Sequence, residues 1–196
     1  VSTGSRLITD LIAARYENAI KKYAKGHLLD LGCGRAPLFH VYRNFVEEVT
    51  CVDWPKSRHS EIHVDYFLDL NEKLPFQAGE FDTIILSDVL EHTYRPEQIW
   101  VEVERILSEN GRLIMNVPFF YWLHERPHDY FRFSEFALKH FAKIAGLEII
   151  SIETIGGSPE ILADFSAKHL QFIPILGNNL SRSEERRVGK ECEDLC

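Results

Sequence analysis

The stretch "FDTIILSDV", residues 81 to 89, constrains the fold more than any other part of the chain. Its apolar centre is unbroken, where a strand with one face in water would alternate polar and apolar residues. Such a strand is covered on both faces, which puts helices above and below a largely parallel sheet. "HLLDL" (27–31) reads as a first buried strand, "EVTCVDW" (48–54) as a second, and "EIHVDYFLDL" (61–70) contains a third. "RLIMNVP" (112–118) is a fifth strand ended by Pro118, and "LEIISIETI" (147–155) a sixth.

Helical signals fall between these runs. Ile8, Ile12, Tyr16, Ala19 and Tyr23 recur every three or four residues, so an amphipathic helix precedes Gly26. "APLFHVYRNF" (36–45) reads as a helix with Pro37 in its first turn, where a missing N–H is harmless. In "RPEQIWVEVERILSENG" (95–111), Ile99, Val103 and Ile106 share a face and Gly111 after Asn110 is the stop. "SEFALKHFAKIAG" (134–146) opens on Ser134 as N-cap and closes at Gly146. "EILADFSAKHLQFIPIL" (160–176) reads as a helix followed by a Pro-broken apolar segment. Alternating strands and helices predict right-handed crossovers and a doubly wound, three-layer α/β/α sheet.

The 196 residues suit one domain, read as 1–180: helix 1–25, core sheet and ligand site 26–155, and helical segment 156–180. The tail 181–196, "SRSEERRVGKECEDLC", breaks from the apolar pattern and resembles vector or adaptor read-through; a solvated charged tail is the alternative. A formal charge of −8 argues against broad attraction to nucleic acid or anionic membrane. No apolar run approaches the roughly 20 residues of a membrane span, and no leader pattern opens the chain. Four cysteines make no disulfide framework, so the expected compartment is the cytoplasm.

Ligands of a doubly wound sheet gather beyond the carboxyl ends of its strands. There the first strand ends in Asp30, and Gly32 and Gly34 remove side chains where a ligand would approach the backbone. Asp53 ends the second strand at the spacing where an acid meets a ribose diol. The dinucleotide fingerprint wants a third glycine where Pro37 stands, and the lone Gly189–Lys190 pair precedes Glu191 rather than a hydroxyl residue. A carboxylate beside the turn instead suits a ligand that is cationic there and carries a ribose further along. S-adenosylmethionine has that shape.

Together "LLDLGCG", "CVDW", "LDLNEKLPFQAGEFDTIILSDVLEH" and "VERILSENGRLIMNVP" resemble a class I S-adenosylmethionine-dependent methyltransferase of the small-molecule, type 11 (UbiE/UbiG-like) kind, over roughly residues 25 to 155. The resemblance implies a Rossmann-like methyltransferase sheet. It places Asp30, Gly32, Cys33 and Gly34 along the methionine portion, with Ser87 and Asp88 flanking it. Asp53 would take the ribose hydroxyls and Trp54 lie beside the adenine, whose amino group Asp69 and ring nitrogen the Leu70 backbone would meet. The family usually ends in a reversed seventh strand beside the fifth; none follows the sixth here, so the sheet is expected to lack it. On the residues alone, Asp53 and Asp69 could equally cap turns and Trp54 fill space before Pro55. Cys33 reads as a small residue fitting the turn, not a nucleophile.

Methyl transfer from a sulfonium is an in-line displacement, and an oxygen acceptor must also lose its proton. Two regions offer groups for this. "SDVLEH" brings Glu91 and His92 to the cleft. "PFFYWLHERPHDYFRFS" (118–134) resembles an "H-x-x-P-x-D-Y-x-R" segment common in the family. It supplies His124 or His128 as the expected base, with His92 next, while Glu91, Tyr121, Asp129, Tyr130 and Arg132 shape an acceptor pocket. Alternatively its rings only cover a sheet edge and Arg132 pairs with a nearby carboxylate. Asp88, Glu91 and His92, with His124 or His128, also resemble the "E-x-x-E-H" metal set of small-RNA 2′-O-methyltransferases. Asp88 departs from it, and the expectation is no metal, with His92 orienting the acceptor or bonded to backbone. The expected activity is methyl transfer to oxygen of a small-molecule or glycan-like acceptor, with no nucleic-acid partner. The rivals are a cofactor-binding module without turnover and an NAD-dependent oxidoreductase. No oligomeric state is legible.

Overall fold

A computed structural model describes residues 6–56 and 63–170. It contains two units, Tyr16–Ile152 and the combination of Val1–Arg15 with Glu153–Cys196. In the first unit five strands form one parallel sheet: β1 (His27–Leu31), β2 (Glu48–Asp53), β3 (Tyr66–Phe67), β4 (Phe81–Ser87) and β5 (Leu107–Asn116). Their order is β3-β2-β1-β4-β5. The chain winds from β1 to one edge, returns, and continues from β4 to the other, so the switch point lies between β1 and β4.

Strand parity sorts the two faces. Leu29, Leu31, Val52, Ile84 and Leu86 join one core with Ile99, Trp100, Val103 and Ile106 of helix α3 (Pro96–Ile106) and Ala142 of helix α4 (Glu135–Ile144). Asp30 and Cys51 point the other way, to Tyr42 of the short helix α2 (Phe39–Tyr42). The unbroken "TIIL" of β4 is therefore fully buried, as a strand covered on both sides must be. Helix α1 (Arg6–Tyr23) buries Tyr16 and Ile20. Local chemistry sets the ends: Pro96 opens α3, the Ser134 hydroxyl accepts from the Ala137 N–H at 3.3 Å, and Gly146 at φ +75° closes α4. Glu102 of α3 accepts from the Leu74 N–H (2.8 Å) and from Arg105 (2.6 and 3.0 Å), while Arg105 donates to the Leu74 and Phe76 carbonyls. The β3–β4 connection is thereby clamped to the helix.

Three expectations need correcting. The helix expected over 36–45 is only Phe39–Tyr42, because Ala36 at φ +48° keeps Pro37 in a turn ahead of it. Helix α3 ends at Ile106, not Asn110: Leu107 turns extended (φ −74°, ψ 132°) to pair with Phe81. Residues 108–111 bulge within β5 before Thr83 pairs with Arg112, with Asn110 at φ +60° and the Ser108 hydroxyl donating to Asp82 at 2.8 Å. The third strand does lie within the stretch 61–70, as Tyr66–Phe67; residues 61–62 are outside the described residues. The sixth strand at 147–155 is not formed, so among the described residues the sheet has five strands. Alternating apolar residues make a strand only when a neighbour supplies hydrogen bonds, and Ile149, Ile150 and Ile152 stay exposed instead.

The second unit is described by helix α5 (Ser158–Leu170), whose entry is set by Gly156 at φ +78° and by the Gly157 N–H donating to Glu160 at 2.8 Å. Arg15 and Glu153 form an exposed ion pair at 3.6 Å. The expected tail 181–196 lies outside the described residues. No helix among the described residues is long and apolar enough to cross a membrane.

Candidate active site

The glycine turn after β1 is knitted to β2: the Gly32 and Cys33 N–H groups both donate to the Val52 carbonyl, at 2.7 and 2.9 Å. Gly32 sits at φ +78°, and a Cβ there would lie 2.5 Å from Val89. Its missing side chain makes room for the chain leaving β4 as well as for the left-handed turn. Cys33 is buried, and its hydrogen bond to Cys51 together with burial pushes its thiol up.

Two carboxylates stand beside this turn. Asp30 is 4% exposed and accepts from the Tyr42 hydroxyl at 3.0 Å; burial pushes its carboxyl up to about 7, against that hydrogen bond and reinforced by the charge of Asp53. Asp53 is 8% exposed, and no donor among the described residues is bonded to its carboxylate. Buried carboxylates with one donor or none require a cation or hydroxyls from elsewhere. An ammonium for Asp30 and a diol for Asp53 are the complement, so these residues fit S-adenosylmethionine by the chemistry of the donor set.

The remaining expected cofactor residues surround them. Trp54 is half-buried, its ring edge-on to His128 at 4.8 Å and beneath the Lys56 ammonium at 5.7 Å. Asp69 does cap its turn: one oxygen accepts from the Asn71 backbone N–H (2.9 Å) and side-chain amide (2.8 Å), and Leu70 beside it is buried. Ser87 ends β4. Asp88 follows at φ +53° and is held on both sides, its N–H on the Asn116 carbonyl (3.0 Å) and its carboxylate on the Asn116 amide (2.7 Å). Left-handed backbone at a non-glycine residue marks a position fixed by its surroundings.

The acceptor-side residues converge more tightly. The loop after β5 docks on the turn Leu90–His92 through the Tyr130 N–H, which donates to the Glu91 carbonyl at 2.8 Å. His92 and His124 thereby meet, Nε2 to Nε2 at 3.0 Å, each 3.7–3.8 Å from the Glu91 carboxylate. Glu91 is 0% exposed with neither carboxylate oxygen hydrogen-bonded, and burial pushes it up to about 8. Asp129 sits behind His124, 3.2 Å from its Nδ1, and accepts two Arg132 N–H bonds at 2.5 and 2.8 Å; Arg132 holds it well below the usual carboxylate range.

The three histidines are thus unlike. His124 and His92 share the cluster, whereas the His128 ring faces Trp54 and bonds the Tyr130 hydroxyl at 3.2 Å. His128 joins the cluster only through its carbonyl, on His92 Nδ1 at 2.7 Å. Tyr121 packs edge-on against His124 at 5.1 Å, and Arg132 also donates to the Trp122 carbonyl at 3.0 Å. Sequence reading missed Tyr16 and Asn116. Tyr16 is buried in the field of Asp30, Asp88 and Glu91, and burial pushes its phenol up. On the apolar stripe of α1 its only signal was a hydroxyl among aliphatics. Asn116, the last residue of β5, could be found from its strand-end position.

Comparisons with known proteins bear on the fold and on the matched segment. Residues 29–115 match the family model described as "Methyltransferase domain". A ubiquinone biosynthesis O-methyltransferase of Xanthomonas axonopodis pv. citri is 28% identical over 115 residues, covering 54% of this chain and 48% of that protein. Another, of Xanthomonas oryzae pv. oryzae, is 28% identical over 111 residues, covering 52% and 46%. The chain spans about half the length of these relatives. Among solved structures, a SAM-dependent methyltransferase from Archaeoglobus fulgidus superposes with TM-score 0.58 at 17% identity, over 84% of this chain and 88% of that one. The [4+2]-cyclase SpnF superposes with TM-score 0.60 at 19% identity, over 86% and 71%. At such identities these structures speak for the fold alone. In its matched segment and its sheet order, the chain is similar over residues 29–115 to a methyltransferase domain of the class I, S-adenosylmethionine-dependent kind.

Proposed function

We propose that the chain methylates a hydroxyl of a small, ring-bearing or glycan-like acceptor. The observation that carries this is the pair of buried, donor-poor carboxylates, Asp30 and Asp53, at the carboxyl ends of adjacent strands. Asp53 grips the ribose diol and Asp30 the ammonium of the donor, whose sulfonium supplies the methyl group. Trp54, packed on His128, links this side to the loop 118–134, so donor and acceptor sites share a wall. Exposed Phe119, Phe120, Tyr121 and Trp122 offer rings for an apolar acceptor. The lone pairs of Glu91, His92 and His124 gather where the hydroxyl proton must leave. The name O-methyltransferase on the relatives supports oxygen over nitrogen.

Calorimetry with S-adenosylhomocysteine tests the donor site. Asp53→Ala is expected to weaken binding by roughly 10- to 100-fold, the loss of charge-assisted hydrogen bonds worth about 1.5–3 kcal/mol. Equal binding by wild type and variant would overturn the assignment. Transfer of labelled methyl to hydroxylated aromatics or sugars, but not to their deoxy analogues, is the expected activity; labelling of amines instead would overturn the oxygen target.

A further inference from the structure

We infer that Glu91, His92 and His124 form a binding site for a divalent transition-metal ion of the zinc type, with room left for an oxygen ligand. This rests on the methyltransferase reading only for its use, not for its existence. The three atoms concerned, Glu91 Oε1 and the two Nε2 atoms, stand 3.0, 3.7 and 3.8 Å apart. Tetrahedral ligands at zinc bond lengths stand about 3.4 Å apart.

The hydrogen bonds behind the rings decide what these atoms are. His92 Nδ1 faces the His128 carbonyl at 2.7 Å, and a carbonyl only accepts. His124 Nδ1 faces Asp129 and the Trp122 carbonyl, both at 3.2 Å, and these also only accept. Both protons of the neutral rings therefore sit on Nδ1, and both Nε2 atoms present lone pairs. They converge on a carboxylate that is wholly buried and has no hydrogen-bond donor. With Glu91 ionised, three acceptors face one another and need a positive centre. A single proton shared by the histidines would settle the 3.0 Å contact and leave both Glu91 oxygens orphaned, since 3.7 Å is too long for a hydrogen bond. One divalent ion satisfies all three.

The support behind the ligands has the form such sites use. Asp129, locked by Arg132, orients His124, and the His128 carbonyl orients His92, as second partners do around metal-bound imidazoles. Two imidazoles with one carboxylate suit zinc better than magnesium. Three protein ligands leave a position where an acceptor hydroxyl would bind and lose its proton to water more readily. The cluster then acts as a Lewis acid in place of a free imidazole base.

Cobalt(II) is the probe. Chelator-treated full-length chain is titrated with Co²⁺ and read by visible d–d absorption, then challenged with Zn²⁺. One strongly absorbing Co²⁺ per chain, displaced by Zn²⁺, is expected. Glu91→Gln and His124→Ala should abolish it while S-adenosylhomocysteine binding is retained, which shows that the variants fold. Asp129→Asn, a positioning residue, should weaken it by about 10- to 100-fold. Absence of stoichiometric cobalt in wild type, or unchanged cobalt binding in both ligand variants, overturns the metal site. Cobalt uptake in a chain that ignores S-adenosylhomocysteine would sink the methyltransferase reading and leave the metal site standing.

Discussion

Glu91 and Glu102 are the same residue, both on the segment that follows β4, and both shut away from water, at 0% and 3% exposure. They could hardly be treated more differently. Around Glu102 the fold supplies a backbone N–H and a two-pronged guanidinium. Burial works to raise its pKa, but Arg105 and the Leu74 N–H outweigh it and leave the carboxyl below its ordinary value. Around Glu91 no neighbour hydrogen-bonds either carboxylate oxygen, and burial outweighs the attraction of Arg132 and drives the carboxyl up. The desolvation penalty met on the spot belongs to architecture; left unmet, it marks a group kept for something that arrives later.

That contrast can be broken first at the architectural end. Glu102→Ala strands Arg105 and the Leu74 N–H, and unpairing a buried ion pair destabilises by about 3 kcal/mol. In a chain of this size the melting temperature should fall by roughly 6–12 °C. A fall within error of zero would mean that the clamp between α3 and the β3–β4 connection contributes no net stability.

At the other end the sign should reverse. Glu91→Gln removes a buried, charge-prone carboxyl whose oxygens have no hydrogen-bond partner. In chelator-treated protein this should raise stability by about 2 kcal/mol, the scale of an unsatisfied buried polar group. Thermal melts of wild type and variant, with and without Zn²⁺, sharpen the point: added zinc should stabilise the wild type and not the variant. Destabilisation of the metal-free variant to the level of Glu102→Ala would erase the distinction between the two glutamates.

How far the sequence reaches follows the same line. β1, β2 and β4 were legible because buried apolar runs with an acid at or beside their last residue write a parallel strand in local code. Helix α4 was legible because Ser134 and Gly146 punctuate it chemically. The end of α3 was not, since Leu107 follows Ile99, Val103 and Ile106 in plausible helical rhythm. What stops the helix is a ladder partner, Phe81, far back in the chain. The strand expected at 147–155 failed for the converse reason: good local alternation, no neighbour. In the site, Asp30 and Asp53 could be placed by strand ends alone. The division of labour among His92, His124 and His128 could not, because it depends on how the loop docks on the Glu91 carbonyl and on which ring nitrogen finds which acceptor.

Asp30 lies between the two extremes, with a single donor, Tyr42, and a carboxyl held near 7. The unfolded chain would ionise it at about 3.9. Between those values the folded protein binds a proton that the unfolded one has lost, so this residue's contribution to stability declines as pH rises through the window. Donor binding should run the other way. The ammonium favours the carboxylate, so binding expels the proton, and affinity for S-adenosylhomocysteine should rise about tenfold from about pH 6 to about pH 8. Asp30→Asn should bind weakly with a flat profile, and Tyr42→Phe, which removes the one hydrogen bond opposing burial, should move the rise to higher pH. A wild-type profile already flat across that range would show that Asp30 is ionised without help, and would put it with Glu102 among the residues the fold has already satisfied.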